Sequence, residues 1–209
     1  WSTGCAFGDY DRDGYVDLYV ASYLQLDPPG KLEPGNCEIQ YMGLAVFCGP
    51  MGLQGQPDAL YRNNGDGTFK DATTQAGIDD PGYYGFAVVF NDLDNDGWPD
   101  IYVANDSVPN LMFHNNRNGT FSEIGLLSGT SMGANGKAQA GMGVAVGDYD
   151  GNGYLDLFVT NFAQDSNTLY QNMGNMIFND TSSFSGVAGP SVPYLRWGKG
   201  FAGLDNGGL

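Results

Sequence analysis

One nine-residue pattern occurs three times in this chain and limits what can surround it. The pattern is D-x-D-x-[DN]-G-x-x-D, running from Asp9 to Asp17, from Asp92 to Asp100 and from Asp148 to Asp156. Each copy sits between a Gly-rich apolar run and a β-branched, aromatic run, as in GDYDRDGYVDLYVASY, NDLDNDGWPDIYVAND and GDYDGNGYLDLFVTNF. The three nine-residue loops hold 11 of the chain's 24 acids. A merely solvated acidic surface has no reason to repeat one spacing. The repeat is therefore both the architectural unit and the first candidate for chemistry.

A second run follows each loop: ALYRNNGDGTFKDAT, LMFHNNRNGTFSEIG and LYQNMGNMIFNDTS. The first acids of the loops are 83 residues apart (9 to 92) and then 56 (92 to 148). A weaker fourth copy, GFAGLDNGG, begins at Gly200. The long first interval reflects an insertion over residues 25–57. Strands are expected at 4–8, 86–90 and 142–146 leading into the loops, and at 17–21, 100–104 and 156–160 leaving them. Two shorter strands complete each unit, joined by Asn/Gly turns such as Asn64-Gly65-Asp66-Gly67 and Asn118-Gly119. No sustained 3.6-residue periodicity predicts helix.

Four-stranded antiparallel units repeating at about 55 residues predict an all-β fold of β-propeller blades, in which radial repetition protects the sheet edges. The expected division is 1–80 (a blade carrying the insertion 25–57), 81–138, 139–194 and the start of a fourth at 195–209. Three repeats and a beginning fall short of a closed ring, so a partial ring is expected, with the remaining blades of a parent propeller as its neighbours.

Composition narrows the function. A formal net charge of −16, from 8 bases against 24 acids, argues against nucleic acid. No apolar run approaches the ~18–20 residues of a membrane span, so no membrane insertion is expected. A 42% hydrophobic and 13% aromatic content excludes simple disorder.

The acidic loops have the chemistry of a hard-cation site. Calcium takes six to eight oxygens, and alternating acids on a tight turn converge on one point. The expected ligands are Asp9, Asp11, Asp13 and Asp17 with the Tyr15 carbonyl; Asp92, Asp94, Asp96 and Asp100 with the Trp98 carbonyl; and Asp148, Asp150, Asn152 and Asp156 with the Tyr154 carbonyl. About three Ca2+ sites are thus expected, the third weaker because Asn152 replaces an acid. Gly14, Gly97 and Gly153, at loop position six, permit the sharp turn. An EF-hand is excluded, since position twelve is Val20, Val103 or Val159 and the flanks read as strands. A fourth site at Asp205 is doubtful with Gly203 and Gly207 beside it.

The Phe7-Gly8, Gly85-Phe86-Ala87 and Gly200-Phe201-Ala202 motifs, each with its acidic loop, resemble FG-GAP/VCBS repeats of the integrin-α type. The stretch 46–73, VFCGPMGLQGQPDALYRNNGDGTFKDAT, is similar to the cartilage acidic protein group, whose bacterial members carry an ASPIC/UnbV domain. That resemblance implies a seven-bladed propeller, calcium in blade loops and an extracellular or cell-envelope setting, and it implies no settled activity.

Cys37 and Cys48, inside the insertion, are expected to form a disulfide. Cys5 aligns with Val88 and Val144 and is expected in the core; His114 aligns with Arg62 and Gln171 and is expected to face solvent. No nucleophile has a base beside it, so no catalysis is expected. The leading function is a calcium-stabilised module for adhesion or for recognition of an extracellular protein or glycan, with the insertion as its contact surface. The alternative is a scaffold or subunit of a secreted enzyme acting on extracellular glycans, using Asp27, Glu33, Glu38, Asp58, Asp106, Asp165 or tyrosines.

Overall fold

Strand formation starts on the two sides of each acidic loop. The computed structural model describes residues 1–26, 40–41, 44–45, 49–194, 196–198 and 200–202. The first sheet has the order β1 (Ser2–Gly8), β2 (Asp17–Ser22), β5 (Ala59–Asn63), β6 (Phe69–Asp71). Between β2 and β5, the two-residue strands β3 (Gln40–Tyr41) and β4 (Leu44–Ala45) pair with each other. The second sheet contains β7 (Gly85–Asn91), β8 (Asp100–Asn105), β9 (Leu111–Asn115) and β10 (Phe121–Glu123), followed by the one-turn helix α1 (Gly125–Ser128). The third contains β11 (Gly141–Gly147), β12 (Asp156–Asn161), β13 (Thr168–Asn172) and β14 (Phe178–Asp180), followed by α2 (Ala188–Ser191). Each expected loop-flanking strand is present, one or two residues longer than its apolar run.

The register repeats as the sequence does. Gly8 opposes Asp17, Asn91 opposes Asp100 and Gly147 opposes Asp156, so every acidic loop closes the same hairpin. A register irregularity recurs near the start of each first strand, between Ser2 and Gly4, Gly85 and Ala87, and Gly141 and Gly143. Strand β1 lies beside β7, and β7 beside β11, so the first strands of successive sheets stand side by side as in propeller blades. The approach is close: a Cβ on Gly4 would lie 2.8 Å from the Phe86 carbonyl oxygen. The chain is all-β, an arc of four-stranded antiparallel blades.

Two apolar cores fill the spaces between blades. Tyr19, Ala21 and Leu60 of the first sheet meet Phe90, Ile101, Val103 and Phe113 of the second. Tyr102, Ala104 and Met112 of the second meet Leu157, Val159 and Tyr170 of the third. Full burial of each large side chain contributes about 1.5–3 kcal/mol, so inter-blade packing is the main stabilising term. Two buried amides add directional links. The Nδ2 of Asn115 donates to the Tyr10 carbonyl (2.9 Å), and that of Asn172 to the Leu93 carbonyl (2.7 Å), each crossing to the preceding blade.

Cys5 departs from expectation: it is exposed, not core. Its counterparts Val88 and Val144 pack into the space before their own sheets, and among the described residues no sheet covers that face of the first blade. Cys37 and Cys48 lie outside the described residues, as do Asp27, Glu33, Glu38, Gly203, Asp205 and Gly207.

Candidate metal centres

The β1–β2, β7–β8 and β11–β12 hairpins each present their acids on one tight turn. The position-six glycines all adopt φ near +90°: Gly14 at 91°, Gly97 at 87°, Gly153 at 88°. Position four is left-handed as well, in Arg12 (58°), Asn95 (62°) and Gly151 (74°), a feature the glycine spacing alone shows only in the third copy. The amide of position five donates to the first acid: Asp13 N to Asp9 Oδ1 (3.1 Å), Asp96 N to Asp92 Oδ1 (3.0 Å), Asn152 N to Asp148 Oδ1 (3.1 Å). The amide of position six donates to its other oxygen, as Gly14 N does to Asp9 Oδ2 (3.0 Å). The amide of position seven caps position five: Tyr15 N to Asp13 Oδ1, Trp98 N to Asp96 Oδ1, Tyr154 N to Asn152 Oδ1, all within 2.9 Å.

Position nine has a second duty that its spacing does not reveal. Asp17, Asp100 and Asp156 are almost fully buried. Each accepts one amide from its own loop and one from the third strand of its blade. Asp17 takes Tyr10 N (3.1 Å) and Asn63 N (2.8 Å); Asp100 takes Leu93 N and Asn115 N; Asp156 takes Tyr149 N and Asn172 N. Burial pushes Asp17 and Asp100 up to about 6 despite these donors, and it raises Asp156 in the same direction. Desolvation disfavours the charged carboxylate, and a cation beside it would reverse that preference.

Acid oxygens converge to within 4.8 Å of one another in each loop. Asp9, Asp11 and Asp13 gather in the first; Asp92, Asp94 and Asp100 in the second; Asp148, Asp150 and Asp156 in the third. Asp17 does not join the first trio, whereas its counterparts join theirs. Asp96 instead groups with Asp94 and His114. Clustered hard oxygens with no sulfur ligand fit a calcium-type ion better than a softer metal.

The residue aligned as Arg62, His114 and Gln171 does not simply face solvent. Each points into its own acidic loop, because it lies on the third strand one residue before the asparagine whose amide holds position nine. Arg62 donates from Nε to Asp11 Oδ2 (2.6 Å) and from Nη2 to Asp13 Oδ2 (2.9 Å). His114 Nδ1 lies 3.0 Å from Asp100 Oδ1 and 3.9 Å from Asp94 Oδ2. Gln171 donates Nε2 to Asp150 Oδ2. Arg117 adds Nε to Asp96 Oδ2 at 2.6 Å. Strand alternation places these side chains on the loop side, a signal present in the aligned repeats.

Of the carboxyls offered for the enzyme alternative, Asp58 accepts from Tyr19 OH (2.8 Å) and Asp106 from Tyr23 OH (2.7 Å), both buried, while Asp165 accepts the Ala140 amide (2.9 Å). Tyr84 is buried, with its hydroxyl on the Leu53 carbonyl. Among the described residues no helix is long and apolar enough to cross a membrane.

Blades closed by acidic hairpins define a class, repeat-built β-propeller proteins, and the sequence comparison places the chain within it. The model of the FG-GAP-like repeat matches residues 46–103 and 92–159, together more than half of the chain, and the chain belongs to that family. Over 68 residues it is 38% identical to cartilage acidic protein 1 of Homo sapiens and 35% identical to that of Mus musculus. That stretch is 32% of this chain and spans only 10% of either relative's length. Among solved structures, an Agrocybe aegerita lectin, described as recognising non-reducing terminal N-acetylglucosamine, aligns with a TM-score of 0.37 and 20% identity. The alignment covers 83% of this chain and 50% of the lectin.

Proposed function

We propose that this chain is a calcium-stabilised recognition module of an extracellular or cell-envelope protein, displaying loops to a protein or glycan partner and carrying out no catalysis itself. The observation behind it is the threefold recurrence of one loop geometry, with carboxylate oxygens within 4.8 Å of one another and a buried acid at position nine. The first loop would hold its ion through Asp9, Asp11 and Asp13, the second through Asp92, Asp94 and Asp100, the third through Asp148, Asp150 and Asp156; Asp17, Asp96 and Asn152 and the carbonyls of Tyr15, Trp98 and Tyr154 would have to close in on the ion as further donors. A bound divalent cation would supply positive charge where three or four carboxyls now crowd. The chain's own part is to fix the hairpin turn through the position-five and position-six amides and to anchor it to the third strand through position nine.

A structural role for calcium follows from this placement, since each loop joins the first two strands of a blade. At ~1 mM calcium and a dissociation constant of ~0.1 mM, each site adds about 1.4 kcal/mol. Support for a non-catalytic role comes from Asp58 and Asp106, buried carboxyls that accept hydrogen bonds from the Tyr19 and Tyr23 hydroxyls. The test is a thermal melt in millimolar calcium, in magnesium and in chelator. Calcium-specific stabilisation is expected, and a melting curve indifferent to calcium would overturn the reading.

A further inference from the structure

A cleft of about 520 Å³ opens between the first and second blades on the side of the acidic loops. Its lining is richer in cations than the rest of this acidic chain. Arg62, Lys70 and Arg117, three of only eight basic residues, line it beside one acid, Asp11, and the guanidinium of a fourth, Arg12, lies 5.3 Å from the ring of Trp98 in its wall. Asn118 and Thr120 add neutral polar groups. The repeat itself does not need these cations. The third blade has Gln171, Asn179 and Gly174 at the positions of Arg62, Lys70 and Arg117. Arg117 even holds a left-handed conformation (φ 62°) where the sister blades use Gly65 (75°) and Gly174 (81°). A non-glycine residue at such a φ carries a conformational cost, so this position favours the guanidinium over the glycine that would fit best.

We propose that this cleft binds an acidic saccharide, one bearing sulfate or carboxylate groups on a sugar ring. The inference deepens the recognition reading above and rests on it. Guanidinium forks bind sulfate and carboxylate bidentately, an aromatic wall suits the apolar face of a pyranose, and amide and hydroxyl groups suit its hydroxyls. A peptide acid has less use for the aromatic wall and the neutral polar groups. The arginines are not used up. Arg62 commits two nitrogens to Asp11 and Asp13, and Arg117 one to Asp96, out of five N–H donors on each. Both side chains are about half exposed, where such ion pairs are weak and exchangeable. Lys70 forms no ion pair among the described residues. Cations held by the loop carboxylates would leave the guanidinium groups free for the saccharide, so binding should be tighter in calcium than in chelator.

The experiment is calorimetric titration of the chain with a sulfated, uronate-containing hexasaccharide, in calcium and in chelator. A neutral glucan hexasaccharide and hexa-aspartate serve as comparators. The variant combines Arg62→Gln, Lys70→Ser and Arg117→Gly, each the residue a sister blade carries, so its melting temperature should stay with the parent. Arg117→Gly alone, which relaxes the left-handed residue, covers the case in which the triple change fails to fold. The expected result is binding of the acidic hexasaccharide only, weakened at least about tenfold by the triple change and measurably by the single one. Absence of binding to the parent in calcium, equal affinity for the variants, or equal binding of hexa-aspartate would overturn the proposal. Acidic-saccharide binding without a calcium-dependent melt would remove the metal reading and leave the cleft, and a calcium-dependent melt without such binding would do the reverse.

Discussion

Asp58→Asn should stabilise this protein at neutral pH, although it removes a buried and fully hydrogen-bonded side chain. Asp58 precedes the third strand of its blade, where the sister blades have Asn110 and Asn167. All three side chains use Oδ1 to accept the amide of the last residue of the second strand: Ser22 N at 2.7 Å, Asn105 N at 2.9 Å, Asn161 N at 3.3 Å. In the first blade the second oxygen takes the Tyr19 hydroxyl (2.8 Å), and the Asp58 amide donates to Asp80 Oδ2 (2.7 Å). Asp58 is only 3% exposed. Burial, aided by the Asp80 charge, pushes its carboxyl from 3.8 up to about 8, and the Ser22 and Tyr19 donors restrain that rise.

Folding at pH 7 therefore takes up a proton, because the folded state holds the acid neutral while the unfolded state ionises it. The raised folded value sets the sign: the stabilising contribution of the protonated form is complete below about pH 4 and is lost as pH rises through about 8. Each pH unit across that window costs about 1.4 kcal/mol, or up to about 4 kcal/mol by pH 7. Asparagine keeps the Ser22 bond, offers Nδ2 to a Tyr19 hydroxyl that can turn to accept, and has no proton to take up. Urea denaturation of parent and variant at pH 4.5, 6 and 7.5 in saturating calcium measures the difference. It should be smallest at the lowest pH and grow in favour of the asparagine variant. A gap independent of pH, or a variant less stable at pH 7.5, would refute the reasoning.

Other expectations follow from the same geometry. Asn172→Ala should cost about 1–3 kcal/mol in thermal or urea denaturation, since it leaves the buried Leu93 carbonyl and the half-buried Leu155 carbonyl without their donor; a neutral effect would mean that the amide does not clip the blades. Arg62→Gln, matching the third blade, should tighten calcium binding at the first loop by removing a competitor from Asp11 and Asp13, as read by calcium titration. Calcium affinity should fall as pH drops through about 6, where the raised carboxyls of Asp17 and Asp100 take up protons that compete with the metal. Equal affinities at pH 5 and 7.5 would contradict that.

Repetition makes the blades legible in the sequence alone. Strand type and extent followed from apolar runs of one length on both sides of each acidic loop, and the loop's turn followed from glycine at position six. The exposure of Cys5 is not legible, because its alignment with Val88 and Val144 assigns it to a face but says nothing of what covers that face. The contacts of His114 are not legible either, because a position occupied by Arg, His and Gln resembles a variable solvent site. The strand's pleat in fact aims each of the three at carboxylates of its own acidic loop.

Sequence by itself determined the periodic frame: four strands per unit, the carboxylates brought to one turn, and the residues at which the copies differ. These are local properties, set by side-chain alternation and by residues within nine positions of one another. Tertiary structure decided how the units serve each other. It buried Asp17, Asp100 and Asp156 against amides from a strand distant in sequence, placed Asn115 and Asn172 across blade boundaries, and gathered Arg62, Lys70 and Arg117 around one cleft. The physical reason is that hydrogen-bond partners, desolvation and local field depend on which chain segments become neighbours, and a repeat pattern leaves that adjacency open until the blades pack.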